Sequence, residues 1–137
     1  MTPTVTSALA LSLVVPGDVP LPVEARATFA MSDPFAVRLD IATGPDSEVT
    51  WHFSRELLAA GVAAASGEGD VRIQPTMGDE GRMVRITLSS PDGAAALEAP
   101  LAQVAEFLTE TYVLVPTGCE GDYVDLDREI ASLLEEI

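Results

Sequence analysis

Phe35-Ala36-Val37-Arg38-Leu39-Asp40-Ile41 places an apolar side chain at every second position, with Arg38 and Asp40 between them. A period of two belongs to a strand with one buried face, so Phe35, Val37, Leu39 and Ile41 are expected to face a core and the two charges to point away. The alternation recurs upstream. Leu9, Leu11, Leu13 and Val15 share one parity in a first strand over residues 4 to 15, and Val23, Ala25, Ala27 and Phe29 share another, opposite Glu24, Arg26 and Thr28. Downstream, Gly44-Pro45-Asp46 has turn chemistry, and Val49, Trp51 and Phe53 form a fourth strand.

At Ser54 the period changes. Its hydroxyl is placed to cap a short helix, Arg55 to Ala60, with Gly61 as the expected C-cap. Val71 to Gln74 form a fifth strand, and the turn Gly78-Asp79-Glu80-Gly81 leads into a sixth whose Val84, Ile86 and Leu88 face inward. Ser90-Pro91-Asp92-Gly93 turns the chain into a seventh strand at Ala95 to Glu98. Pro100 then opens a helix with Leu101, Val104, Phe107 and Leu108 at helical spacing, ending near Thr111. A last helix is expected from Asp125, with Leu126, Ile130, Leu133, Leu134 and Ile137 along one side. Strands first and helices later predict an α+β fold in one domain over residues 1 to 137. It is a strongly curved antiparallel sheet with one short helix and two C-terminal helices.

The charge restricts the partners. The chain has 137 residues, with 22 acids against 7 bases, and every base is arginine, giving a net charge of -15. Polynucleotide binding draws its affinity from cations that displace counterions, so a lysine-free anionic chain is expected to bind no nucleic acid and to reach anionic membrane only indirectly. The first 17 residues are uncharged, and the first base is Arg26. A secretory signal needs a basic start, so the expectation is a cytoplasmic protein.

A search for reactive groups yields little. One cysteine, Cys119, and one histidine, His52, exclude an internal disulfide and two-histidine zinc motifs. Cys119 lies beside Glu120, whose negative charge works against a thiolate, and Ser89-Ser90 belongs to an ordinary turn. Gly67 to Asp70 is glycine-rich but acidic where a phosphate cradle needs bare N–H groups and a lysine. Glu120, Asp122, Asp125 and Asp127 are dense enough to attract a divalent cation. They lack calcium-loop spacing, however, and a helix N-terminus already accounts for them. No catalytic set, metal or cofactor is therefore expected.

Protein contact is the function left. The loop from Val113 to Tyr123 combines prolyl, glycyl and aromatic residues between two helices, and its candidate partner-binding residues are Pro116, Gly118, Glu120, Asp122 and Tyr123. Mean hydropathy is +0.27 in spite of the charge, which points to self-association.

Trp51-His52-Phe53-Ser54-Arg55-Glu56-Leu57-Leu58-Ala59-Ala60-Gly61, followed by Gly69-Asp70-Val71-Arg72-Ile73, resembles the SsgA-like family of sporulating actinobacteria. Leu88 to Gly93, Leu97 to Pro100, Phe107-Leu108 and Val124 to Asp127 extend the likeness over nearly the whole chain. The front half, with Leu21-Pro22-Val23 and Asp33-Pro34-Phe35-Ala36-Val37, is most similar to the SsgB branch. The resemblance implies a non-enzymatic regulator of sporulation-specific cell division. It would recruit the tubulin-like FtsZ to septum sites and promote its assembly there, with SsgA-type relatives as helpers. It also implies a whirly-like sheet and a homotrimer. Whirly-type domains bind single-stranded nucleic acid, so that function is the alternative. Arg26, Arg38, Arg72 and Arg85 would then have to share one face as a basic patch, and the net charge opposes it.

Overall fold

The computed structural model describes residues 3–67 and 69–122, together with Leu134. In chain order the elements are β1 (Thr4–Leu13), β2 (Leu21–Ala30), β3 (Asp33–Gly44), β4 (Ser47–Ser54), α1 (Arg55–Ala63), β5 (Val71–Gly78), β6 (Gly81–Ser90), β7 (Gly93–Pro100) and α2 (Leu101–Leu114). The strands form one sheet in the order β4-β3-β2-β1-β7-β6-β5, antiparallel at every pairing. Pairs of residues join β2 to β3, β3 to β4, β5 to β6 and β6 to β7, and such short links permit only antiparallel neighbours.

The link from β4 to β5 is different, because those strands are the two edges of the sheet. Helix α1 sits in that link, packs on β5, and also touches β3 and β4. One short helix can meet both margins only if the sheet bends strongly. It stays open, since β4 and β5 do not pair. Pro75 lies on edge strand β5, where its missing N–H costs no ladder bond.

The concave side holds the core. Leu11, Phe29, Val37, Leu39, Ile73, Val84 and Ile86 are almost wholly enclosed, and α2 adds Val104, Phe107 and Leu108. β1 pairs with β7 only at its end, Ser12 and Leu13; over the earlier residues of β1 the strands part and α2 lies beside β1. There the Ala10 N–H donates to Gln103 Oε1 at 2.9 Å, so a helix side chain serves where a strand partner is missing.

Several expectations need correction. Phe35 is 53% exposed, whereas Pro34 beside it is buried. The β2–β3 register shifts, setting residues 34 to 37 opposite Phe29 alone, and this bulge throws Phe35 out of phase with Val37. Asp40 points away from the core as expected, yet it is only 4% exposed because Arg26, Arg38 and Thr50 cover it. The first strand stops at Leu13, and the Val14 N–H donates to the Ala96 carbonyl.

Gly61 does not end α1. The helix continues to Ala63, and the Ala64 N–H closes it on the Ala60 carbonyl at 3.0 Å. Gly61 is instead the point where α1 lies against Ile73 of β5. Ser54 caps as expected, its Oγ accepting from the Leu57 N–H at 2.9 Å. Pro100 is the N-cap of α2, not its first residue, and α2 passes Thr111 to reach Leu114. The last helix does not wait for Asp125, because Glu120, Gly121 and Asp122 are already helical, and Leu134 is helical too; Asp125 and the expected apolar side, apart from Leu134, fall outside the described residues.

Candidate functional site

The loop after α2 is organised by one buried arginine. Arg55 is the first residue of α1, at the positive end of the helix, where a cation is unfavourable without other partners. It has them. Nη1 donates to the carbonyls of Thr111 and Val115 at 3.2 and 2.7 Å, satisfying the C-terminus of α2. Nη2 donates to Glu120 Oε1 at 2.6 Å. The guanidinium lies 4.8 Å from the ring centre of Phe29 and 4.7 Å from that of Tyr112, between two aromatic faces.

Glu120 closes the loop from within. Burial disfavours its charge, but its own backbone amide, the Arg55 guanidinium and the Gly118 amide outweigh that cost and hold the carboxyl below its ordinary value. Gly118 adopts φ 88°, a conformation that favours glycine, and its N–H donates to Glu120 Oε2 at 3.1 Å. The Cys119 amide donates to the Pro116 carbonyl, closing a tight turn, and the Asp122 amide donates to the Cys119 carbonyl where a helix begins at Glu120.

Four of the five candidate residues therefore meet in one loop. Pro116, Gly118 and Asp122 form its exposed surface, whereas the Glu120 carboxylate faces Arg55 and supports that surface from inside. Tyr123 lies outside the described residues, as do Asp125 and Asp127 of the acidic cluster. Arg55 was missed by sequence reasoning, although a base at the first position of a helix is a signal that tertiary partners await it.

The four arginines of the nucleic-acid alternative make no open basic patch. Arg26 and Arg38 both face Asp40, at 4.0 and 3.0 Å, and Arg85 pairs with Glu98 at 2.7 Å. Only Arg72 of the four stands exposed without an ion pair among the described residues. His52 is exposed on β4, Cys119 is half-buried, and no three acidic, histidine or cysteine residues converge as metal ligands among the described residues. No described helix is long and apolar enough to cross a membrane.

The segment that holds both ends of the Arg55–Glu120 contact is also the segment that identifies the chain. Residues 23–120 match the family model described as the Streptomyces sporulation and cell division protein SsgA. The chain belongs to the SsgA family. Its relatives include the sporulation-specific cell division protein SsgB of Thermobifida fusca, 47% identical over 95% of this chain and 94% of that protein. SsgB of Streptomyces coelicolor is 42% identical over 99% of both.

A crystal structure of an SsgA-like sporulation-specific cell division protein from Thermobifida fusca matches with a TM-score of 0.89 and 46% identity, covering 96% of each chain. A structure reported with SsgB mutations that correlate to longitudinal cell division during sporulation of Streptomyces coelicolor matches with a TM-score of 0.87 and 41% identity. It covers 90% of this chain and 97% of that one. The SsgA family is thus a sporulation and cell-division family, not a known enzyme class, and the open α+β sheet is its fold.

Proposed function

We propose that this protein is a non-enzymatic regulator of sporulation-specific cell division that recruits FtsZ to septum sites and promotes its assembly by direct contact. One observation carries the reading: a family match over residues 23–120 ends on a loop that buried Arg55 holds in one shape. A contact surface that is already ordered loses little entropy on binding. Pro116, Gly118, Asp122 and Tyr123 are the contact residues in this reading, with Glu120 as their support. The protein works as one SsgA-like domain in the cytoplasm at division septa, as a homotrimer, with SsgA-type relatives as further partners. It meets the membrane only through partners and binds no nucleic acid.

Co-sedimentation with the cognate FtsZ tests it. The chain is expected to pellet with FtsZ polymers and to increase their amount, and Asp122→Lys is expected to weaken both effects without changing the fold. Absence of the wild-type chain from the pellet would sink the reading. Light scattering is expected to give about three times the 14.4 kDa chain mass.

A further inference from the structure

Where the ends of β1, β2, β3 and β4 face those of β6 and β7, the concave side of the sheet opens into a groove of about 790 Å³. Buried Ile41 and Leu97 form its floor. Half-buried Val23 and Trp51 form its walls, with Leu21 and Val49 at 55% and 44% exposure. The volume lies within the range of about 300 to 1,000 Å³ typical of ligand sites. Large apolar side chains left open to water in a chain of net charge -15 are a surface kept for something apolar.

The rim selects among apolar occupants. Glu24 of β2 and Asp92 of the β6–β7 turn line the groove, and no arginine among the described residues lines it. Since β1 and β7 run between β2 and β6, the two carboxylates stand on opposite sides. A fatty acid or anionic lipid would bring like charge to both, and a second copy of the chain would bring a surface of the same net charge, -15. The Thr43 and Ser90 hydroxyls at its edge already bond the Ser47 hydroxyl and the Gly93 carbonyl, and the lone pairs they keep suit the N–H groups of a peptide backbone.

We propose that this groove seats a short apolar peptide segment flanked by arginine or lysine and supplied by a partner protein. The apolar core covers Leu21, Val49 and Trp51, and the flanking cations meet Glu24 and Asp92. No described residue of the 116–122 loop lines the groove, so this binding is separable from FtsZ contact through the loop.

Trp51 is the single tryptophan, so its fluorescence reports the groove directly. The full chain is titrated with three peptides sharing one Leu-Val-Leu-Ile core and flanked by arginines, glutamates or serines. The arginine-flanked peptide is expected to shift Trp51 emission saturably, and to bind about tenfold more weakly to the Glu24→Lys, Asp92→Lys double variant. Both sites are exposed, so that variant is expected to fold, and it should now prefer the glutamate-flanked peptide. An equal response to all three peptides, or none, overturns the proposal. So does a fall in particle mass on Val49→Glu, which would show that another copy of the chain covers the groove.

Discussion

Arg55 and Glu120 lie 65 positions apart and meet at 2.6 Å, joining the first turn of α1 to the loop beyond α2. The same guanidinium binds the carbonyls of Thr111 in α2 and Val115 at its C-cap and stacks on Phe29 and Tyr112, so one side chain ends a helix, shapes a loop and fills a core position. Arg55→Ala is expected to destabilise the fold by about 3 kcal/mol, since it leaves a largely buried carboxylate without its cation and the Val115 carbonyl without its donor, the Thr111 carbonyl keeping only the Val115 N–H. Arg55→Lys should recover little, because an ammonium cannot serve three acceptors in the planar fork. Glu120→Gln, which keeps a hydrogen-bonding oxygen, should cost about 1 kcal/mol. Urea denaturation of the three variants checks the ranking, and an Arg55→Lys variant as stable as the wild type would contradict it.

Acid should remove part of the same stabilisation. Glu120 ionises below its ordinary 4.5 for the reasons given above. Asp40 ionises below its ordinary 3.8, chiefly through the Thr50 hydroxyl at 2.6 Å, against the opposing effect of burial and with help from Arg38 and Arg26. A carboxyl whose folded pKa is depressed contributes stability that is complete above its unfolded value and is lost as pH falls through the folded one. The stability difference between the wild type and the Asp40→Asn, Glu120→Gln double variant is therefore expected to be constant from neutrality to about pH 5 and to close below it. Taking the difference cancels the relief of charge repulsion that both proteins gain in acid. A difference independent of pH down to the acid limit would contradict the expectation.

The strands were legible because each buries one face, and Leu39, Ile86 and their neighbours repeat at the period that demands it. Phe35 was misread because a bulge shifts phase without leaving a mark in the alternation. Asp40 was read correctly as facing away from the core, but burial on that outer face depends on cross-strand neighbours, Arg26 and Thr50, that only the register supplies. The loop at 116–122 could be located from Pro116 and Gly118. Its anchor could not, because the partner of Glu120 comes from another element and reaches it only through the bend of the sheet. The groove was hidden for the same reason, since Trp51 and Leu97 belong to strands on different sides of β1.

Single-stranded oligonucleotides should not bind at physiological salt. Neutralising phosphates requires free cations along a track, and Arg26, Arg38 and Arg85 already face carboxylates on the sheet. Fluorescence anisotropy with labelled single strands is expected to stay flat, and a salt-sensitive rise at micromolar protein would contradict this. Asp40→Asn frees both Arg26 and Arg38, so any weak binding that appears only in that variant would locate the suppressed patch.

Exchange between glycine and alanine at two neighbouring helix positions should destabilise in both directions. In an exposed helix, Gly→Ala ordinarily gains about 1 kcal/mol from backbone entropy. At Gly61 an added Cβ would lie 2.5 Å from Ile73 Cβ, 3.0 Å from the Ile73 carbonyl oxygen, and against Ile73 Cγ2 as well. Neither the branched carbon nor the backbone of a fully buried strand residue can swing aside, so α1 would have to lift from β5, at a cost of about 2 to 3 kcal/mol, in the upper part of the overpacking range, that exceeds the helical gain. Gly61→Ala is thus expected to lower stability by about 1 to 2 kcal/mol. Exposed Ala60, one position earlier, meets no such contact, and Ala60→Gly should cost about 1 kcal/mol through propensity alone. Thermal melts of the two variants separate the causes: if Gly61→Ala raised the melting temperature, the close approach of α1 to β5 would not be what fixes glycine there.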